Sequence, residues 1–417
     1  MADKYYIGSA IKTPAPHHES FKALWETKWK KACEMGIYPF MFGTIKDFQP
    51  VVDELTRKDM KEPYDWDAYA STFSPYAEAL VEKATEAEKA GEKEKASELY
   101  LRASAIYRIS RFPIPRSPKQ KQAWEKGKEA CIKGLGLREH PVHEILVPHT
   151  YGIEGEGSHI PIYHAVPPKA SKIHPAATLI IFTGLDGYRT ELAVWIKGFI
   201  ALGVAVIVVE IPGTGDSPAL PSDPKGADRQ WSSLLDWIDQ QEALDSKKVA
   251  VWGFSTGGYS AIRIAHTHAE RLAGVVCLGG GCHHMFDPEW TDEVNHLEYP
   301  FDLAGSLAHK FGYGNDITTY KKEASEKFSL LKDGTLDKPG CARLLLINGL
   351  GDEIFPIDDM YIALQHGSTK EARFIPATKH MGEPASFFII LPWLYKLLGV
   401  QGNAGEQMST IPFKAKY

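Results

Sequence analysis

Apolar residues recur at helical spacing through the first 140 residues. The first such stripe runs from Phe21 to Ala32; it follows Ser20, which can cap a helix, and Gly36 ends it. No convincing strand pattern interrupts this part of the chain, so we expect a helical N-terminal domain over residues 1–140. Three further helices are predicted in it, the first two as a hairpin: residues 73–87, residues 96–107 and residues 118–135.

After residue 140 the pattern changes to short β-branched runs that alternate with helical segments. Continuous apolar runs are typical of parallel strands buried on both faces. The alternation therefore predicts an α/β fold, a mostly parallel sheet with helices on both faces, over residues 141–400. A polar, aromatic-rich insertion interrupts it at about 283–340, and residues 401–417 form a C-terminal tail. The predicted strands are residues 142–147, 160–166, 178–182, 204–209, 249–252, 274–278 and 343–347.

One pentapeptide lies between a predicted strand and a predicted helix. Gly253-Phe254-Ser255-Thr256-Gly257 has the form G-x-S-x-G, which in this setting is the nucleophile elbow of α/β-hydrolases. Glycines are needed there because the turn is sharp and side chains would collide with the strand and the helix. The motif predicts that Ser255 is a nucleophile.

A serine hydroxyl needs a base, and the base needs an acid that orients it. In this fold the acid and the histidine follow the serine along the chain. Asp352 lies in a glycine-flanked loop after a predicted strand and is a better candidate than Glu353. Of the two later histidines, His380 follows a strand-like run, whereas His366 ends a predicted helix. We therefore expect a triad of Ser255, Asp352 and His380.

Two backbone N–H groups are expected to stabilise the oxyanion. Thr256 follows the nucleophile and supplies one. Gly184 takes the place of the usual loop glycine after the third strand, so the N–H of Leu185 is the second candidate. Polar residues of the same loop either orient the substrate or form a loop-stabilising ion pair. The candidate substrate-binding residues are Asp186, Tyr188, Arg189, Phe254 and His283.

Two other segments invite alternative interpretations. Glu210–Ser217 resembles the hydrolase loop D-x-x-G-x-G-x-S, a structural turn near the site; it is a weak phosphate cradle because no P-loop lysine follows. Cys282-His283-His284 suggests a metal site, but adjacent residues rarely converge on one ion. His283 and His284 are better candidates for a pocket wall. We therefore expect neither a metal nor a cofactor.

Composition narrows the class of protein. Of 417 residues 44% are hydrophobic and 24% charged, as in ordinary globular proteins, and the net charge of −6 gives no reason to expect nucleic acid as a partner. The five scattered cysteines do not suggest a disulfide framework. Neither a signal peptide nor a membrane span is evident, so we expect a cytoplasmic protein.

The whole chain resembles the fungal yellowish-green (Ayg-type) hydrolases, which shorten polyketides in naphthalene-melanin pigment biosynthesis. The resemblance lies in the segments at 24–30, 36–40 and 105–113, in the loop 184–187 and in the loops of the three candidate catalytic residues. More distantly, the chain is similar to 2,6-dihydropseudooxynicotine hydrolase, a bacterial enzyme that also cleaves a C–C bond.

The resemblance implies that a helical domain covers the catalytic face. It also implies a serine hydrolase that removes an acyl side chain from an aromatic, naphthopyrone-like polyketide by C–C cleavage and yields a polyhydroxynaphthalene. An ester or lactone hydrolase is the alternative, since a triad does not distinguish C–O from C–C bonds. A non-catalytic binding protein is the third reading. The expected partner is the small-molecule substrate, and apolar content with the resemblance favours a homodimer.

Overall fold

The computed structural model describes residues 4–417, which divide into two compact units. The sheet unit contains the segment up to Pro14, Ile145–Arg189 and Gly198–Gly405. The helical unit combines most of the first 144 residues with two short segments from later in the chain: Ala15–Glu144, Thr190–Lys197 and Glu406–Tyr417.

These bounds differ from the predicted domains in four places. The chain leaves the helical unit after Glu144 rather than after residue 140, and the segment up to Pro14 lies with the sheet. Thr190–Lys197 and Glu406–Tyr417 lie with the N-terminal helices, although the sequence pattern assigned them to the catalytic domain and the tail. Neither segment has a helical pattern long enough to show where it packs.

Eight strands within the described residues form one sheet in the order β1-β2-β4-β3-β5-β6-β7-β8. β2 runs antiparallel to β4, and the pairings from β4 through β3 to β8 are parallel. This is the mostly parallel sheet of the α/β-hydrolase fold, as predicted. The strands are β1 His143–Pro148, β2 His159–Ala165, β3 Ala176–Phe182, β4 Ala205–Val209, β5 Leu244–Phe254, β6 Gly274–Leu278, β7 Leu344–Gly349 and β8 Glu371–Ile375.

The core of the sheet unit lies around its central strands. Every residue of β3, β4, β6 and β7 is buried, which explains their continuous apolar sequences. β5 begins at Leu244, earlier than the apolar run suggested. The apolar pattern does not reveal this first part of the strand because it is polar and partly exposed. The helices that pack on β5 include Gly226–Asp239, Thr256–Thr267 and Phe387–Leu398.

Local signals explain the ends of several helices in the helical unit. The Ser20 hydroxyl accepts the Ala23 N–H at 3.1 Å, and Gly36 ends the helical stretch with a φ of 64°. One helix, Ile45–Arg57, has no counterpart in the predicted set. Thr44 and Asp47 form a capping box at its start.

Aromatic side chains fill the core of the helical unit. Trp25 and Trp29 each contact Phe40 edge to face, with ring centroids 5.9 and 5.6 Å apart. Phe40 contacts Phe48 of the unpredicted helix at 4.9 Å. Burial of such rings is the main stabilising contribution here, at about 25 cal/mol per Å² of apolar surface removed from water.

A buried ionic cluster also stabilises the helical unit. Arg108 Nε lies 2.8 Å from the carboxylate of Glu191, and Arg111 pairs with the same oxygen. Each of the three side chains is at most 1% exposed. Burial lowers the pKa of Arg108, and Glu191 opposes that effect. Glu191 therefore ties the short segment 190–197 to the N-terminal helices.

None of the helices within residues 4–417 has the length and apolar content needed to cross a bilayer.

The α-helices are α1 Phe21–Leu24, α2 Lys30–Met35, α3 Ile45–Arg57, α4 Trp66–Lys89, α5 Lys93–Arg111, α6 Pro118–Gly136, α7 Arg189–Leu192, α8 Ile196–Ala201, α9 Gly226–Asp239, α10 Thr256–Thr267, α11 Pro288–Glu293, α12 Leu303–Lys310, α13 Ile317–Phe328, α14 Asp358–Gln365, α15 Phe387–Leu398 and α16 Ala404–Ser409.

Candidate active site

Ser255 lies in a strained turn between β5 and α10. Its φ of 52° and ψ of −123° are unusual for a residue with a side chain. A Cβ on Gly253 would lie 2.3 Å from the Gly257 carbonyl oxygen, and one on Gly257 would lie 2.3 Å from the Thr183 oxygen. The glycines of the motif are therefore required by the close approach of strand, turn and helix.

The three residues of the predicted triad lie in one hydrogen-bonded chain. Ser255 Oγ lies 2.8 Å from His380 Nε2, and His380 Nδ1 lies 2.8 Å from Asp352 Oδ2. An ionised carboxylate can only accept, so the proton on Nδ1 points to Asp352 and Nε2 is left to accept the serine proton. The arrangement has the geometry of a nucleophile with its base and orienting acid.

Other donors hold the carboxylate of Asp352. Its Oδ1 accepts the backbone N–H groups of Ile354 and Phe355 at 2.7 and 3.0 Å, and Asn348 Nδ2 donates to Oδ2 at 2.6 Å. The side chain is fully buried. These donors satisfy the carboxylate and fix its direction toward His380.

The two alternative candidates, Glu353 and His366, form hydrogen bonds with other residues. Glu353 pairs with Lys379 Nζ at 2.6 Å, and His366 Nδ1 lies 2.9 Å from Asp337. Neither contacts Ser255 in the described hydrogen bonds of residues 4–417.

Two residues that the sequence patterns did not indicate hold the loop of His380. Asn348 Oδ1 accepts the Met381 N–H at 2.8 Å, so one amide bridges Asp352 and the loop of His380. Glu298, from the insertion, accepts the His380 N–H at 3.1 Å. Burial lowers the pKa of His380, but Asp352, with Glu298 and Glu383, outweighs it, so the pKa is raised overall.

The loop after β3 passes directly beside Ser255. A Cβ built on Gly184 would lie 3.4 Å from Ser255 Cβ and 4.0 Å from Ser255 Oγ. Gly184 N–H donates to the Gly187 carbonyl at 3.0 Å, which closes a tight turn around Leu185. Thr256 is the first residue of α10, where an N–H has no partner within the helix. The roles of the Leu185 and Thr256 N–H groups as oxyanion donors stay predictions.

Arg189 takes part in an ion pair, the alternative to a substrate-binding role in the sequence interpretation. Its guanidinium donates to Glu210 Oε2 and to Asp216 Oδ2, both at 2.8 Å. Burial raises the pKa of Glu210 to about 7, although Arg189 acts to lower it. The Arg189 guanidinium therefore favours the charged form of a carboxyl group whose burial favours the neutral form.

The other predicted substrate-binding residues differ in exposure. Tyr188 and Phe254 are buried, and the Phe254 ring lies 4.4 Å from that of Trp252. Asp186 is partly exposed, as is His283, whose Nδ1 lies 2.7 Å from Ser329 Oγ. A substrate contact for each of them stays a prediction.

The three side chains of Cys282-His283-His284 have separate partners. Cys282 Sγ donates to the Asp359 carbonyl at 3.2 Å, and His284 Nδ1 lies 2.8 Å from Asp287 Oδ2. Within residues 4–417 no group of three or more histidine, cysteine or acidic side chains is arranged to hold a metal ion.

Comparisons with known proteins agree with this fold. The family model of the alpha/beta hydrolase fold matches residues 177–304. Esterase FrsA of Photobacterium profundum is 25% identical over 338 residues, which cover 79% of this chain and 75% of that protein. Hydrolase LUC6 of a Fusarium species is 27% identical over 366 residues, which cover 77% of this chain and 81% of that protein.

Among solved structures, the crystal structure of 2,6-dihydroxy-pseudo-oxynicotine hydrolase superposes with a TM-score of 0.68. The two chains are 17% identical, and the match covers 89% of this chain and 96% of the other, so the likeness concerns the fold. The family model, the relatives and the solved structure together define the fold of this chain, that of the α/β-hydrolases. The finer resemblance to the Ayg-type hydrolases stays a prediction.

Proposed function

We propose that the protein is a serine hydrolase that removes an acyl side chain from an aromatic, naphthopyrone-like polyketide by cleaving a C–C bond. The observation that carries the hydrolase part is the chain from Ser255 Oγ through His380 to Asp352, with 2.8 Å at each step. The substrate class comes from the sequence resemblance, and a polyhydroxynaphthalene is the expected product.

The first half of the proposed reaction forms an acyl-enzyme. Ser255 Oγ attacks the side-chain ketone while His380 Nε2 takes the hydroxyl proton. The N–H groups of Leu185 and Thr256 stabilise the oxyanion, a contribution of about 3 kcal/mol per donor. The C–C bond then breaks, its electron pair leaves on the phenol-bearing ring, and His380 returns the proton to that ring carbon.

In the second half, water releases the acyl group. His380 removes a proton from the water as it attacks the ester of Ser255. The tetrahedral intermediate collapses, the Ser255 oxygen regains its proton from His380, and a carboxylic acid leaves. Asp352 stays ionised throughout and stabilises the protonated imidazole.

Hydrolysis of an ester or lactone of a related compound is the second candidate function. It is favoured by the relative named an esterase, FrsA, which matches over 79% of this chain. The same residues serve either bond because the steps at Ser255 are identical; only the leaving atom differs.

The deciding experiment incubates the purified protein with a naphthopyrone and, separately, with 4-nitrophenyl esters. Release of the polyhydroxynaphthalene with its acid supports C–C cleavage. Brisk ester turnover beside unchanged naphthopyrone would replace that proposal with the esterase. Mass spectrometry of Ser255 trapped with a slow substrate reports both the nucleophile and the acyl fragment.

A protein that binds without catalysis is the remaining alternative. Under the proposal Ser255→Ala abolishes turnover in both assays and leaves the thermal unfolding temperature close to that of the wild type. Turnover that survives this substitution would overturn the assignment of the nucleophile. The predicted homodimer is tested separately by light scattering.

A further inference from the structure

Hydrogen bonds hold both ends of the loop beside Ser255. At its start, Thr183 N–H donates to the Val209 carbonyl at 3.2 Å, which continues the pairing of β3 with β4. Inside it, Gly184 N–H donates to the Gly187 carbonyl at 3.0 Å, a bond within the turn itself.

A side chain holds the other end of the loop. Glu210 Oε1 accepts the backbone N–H of Arg189 at 3.0 Å, and Oε2 accepts from Arg189 Nη1 at 2.8 Å. Both oxygens of one carboxylate therefore bind one residue, through its backbone and its side chain. Glu210 and Arg189 are each 1% exposed, so water hardly competes for these charge-assisted bonds.

The carboxylate itself has little freedom to move. Glu210 follows β4 directly, and its carbonyl accepts from Gln230 Nε2 at 2.8 Å. Gln230 is in turn fixed by Ser217, whose hydroxyl donates to Gln230 Oε1 at 2.6 Å. A Cβ on Gly215 would lie 2.4 Å from Glu210 Cγ, so the chain packs tightly against the side chain.

From this geometry we propose that Glu210 is a positioning residue for the oxyanion loop: through the backbone N–H of Arg189, it holds the turn of Gly184 and Leu185 beside Ser255. The proposal rests on the serine-hydrolase function above. The segment Glu210–Ser217, which the sequence suggested to be a structural turn, would then act on the reaction through the position of a backbone donor.

Asp216 provides the matched control. Its carboxylate accepts from the same guanidinium at 2.8 Å. In the described hydrogen bonds, however, the backbone N–H of Arg189 donates to Glu210 and not to Asp216. Glu210→Ala and Asp216→Asn each remove one carboxyl group that accepts from the Arg189 guanidinium. Only the first also frees the end of the loop.

The experiment measures kcat and KM for a 4-nitrophenyl ester and the affinity for a boronic acid, which forms a tetrahedral adduct with a serine nucleophile. For Glu210→Ala we expect kcat to fall about 10- to 100-fold and boronic acid affinity to fall in parallel, with KM within about twofold, because an oxyanion donor acts mainly in the transition state. For Asp216→Asn we expect less than about a threefold change in kcat.

Two results would overturn the proposal: kcat and boronic acid affinity of Glu210→Ala within twofold of the wild type, or losses equal to those of Asp216→Asn. If Glu210→Ala does not fold, Glu210→Gln decides on the same criteria, because its amide can accept only one of the two Arg189 donors. Failure of the hydrolase function has a different signature, namely boronic acid binding or ester turnover that Ser255→Ala leaves intact.

Discussion

The residues on the two sides of Ser255 are held by different sets of hydrogen bonds. On the side of His380, side-chain bonds join His380 to Asp352 and Asp352 to Asn348, and backbone N–H groups of the neighbouring loops donate to these side chains as well. On the side of the loop after β3, a backbone hydrogen bond closes the turn at Gly184, and the buried Glu210 carboxyl accepts from both the backbone N–H and the guanidinium of Arg189.

This difference predicts different responses to substitution. The base side controls proton affinity, so its variants should change the tautomer or the pKa of His380 and with it the dependence of rate on pH. Under the proposed function, the side of the Gly184 turn sets the position of backbone N–H groups, so a variant there that changes no titrating group should lower kcat without moving the pH profile. The predictions below test whether the two sides separate in this way.

The largest effect is expected for Asp352→Asn. The asparagine amide would face His380 Nδ1 as a donor and place the imidazole proton on Nε2, where it can no longer accept from Ser255. We expect kcat to fall about 10⁴-fold at neutral pH. Glu353→Gln, the neighbouring carboxylate, is the control and should change kcat by less than about threefold. Equal losses in the two variants would refute the assignment of the acid.

A smaller loss is expected for Gly184→Ala, on the oxyanion side. The new Cβ would lie 3.3 Å from the Phe254 carbonyl oxygen and 3.4 Å from Ser255 Cβ, so the loop must move by a few tenths of an ångström. We expect kcat to fall about 10-fold with an unchanged pH midpoint. Gly136→Ala is the control, since nothing lies within 4 Å of its Cβ. A shifted pH midpoint for Gly184→Ala would show that the two sides are coupled.

The smallest effect concerns the pH profile itself. Because the pKa of His380 is raised, the wild-type rate should fall with acidification at a midpoint above the reference of about 6.5. Glu298→Gln removes a charge that stabilises the imidazolium and keeps an oxygen for the His380 N–H. The pKa should therefore decrease, and the acidic limb should move to lower pH.

The control for this profile is Glu289→Gln, which removes an exposed carboxylate paired with Lys4 and should leave the midpoint where it is. An acidic limb of Glu298→Gln that coincides with that of the wild type would mean that Glu298 acts on His380 through the hydrogen bond alone.

How far the sequence predicts the site depends on the range of each contact. The positions of Ser255, Asp352 and His380 follow from strand–loop patterns, each readable within a dozen residues, and the structure brings the three side chains together. Glu298 and Asn348 contact the His380 loop from 82 and 33 residues away. No local pattern predicts such pairs, because the sequence around Glu298 or Asn348 does not differ from that around a glutamate or asparagine on the protein surface.

In the fold, too, elements with a clear local pattern are predicted well and contacts between distant segments are not. Buried parallel strands such as β6 were predicted at their observed bounds because every residue is apolar. Helix α3 was missed because Pro50 lies inside it and removes a backbone donor, although the capping box of Thr44 and Asp47 could have revealed its start. The packing of 190–197 with the N-terminal helices depends on the buried pairing of Glu191 with Arg108 and Arg111.

The segment Glu406–Tyr417 has a consequence for the order of events during synthesis. Phe413 N–H donates to the Gly36 carbonyl at 3.1 Å, and Arg102 Nη1 donates to the backbone oxygen of Tyr417 at 2.7 Å. The ribosome makes about 5–20 residues per second, so residue 406 follows residue 144 by on the order of 10 to 50 s. Throughout that interval the N-terminal helices lack these contacts, and they complete their fold only after the strands of the sheet have been made.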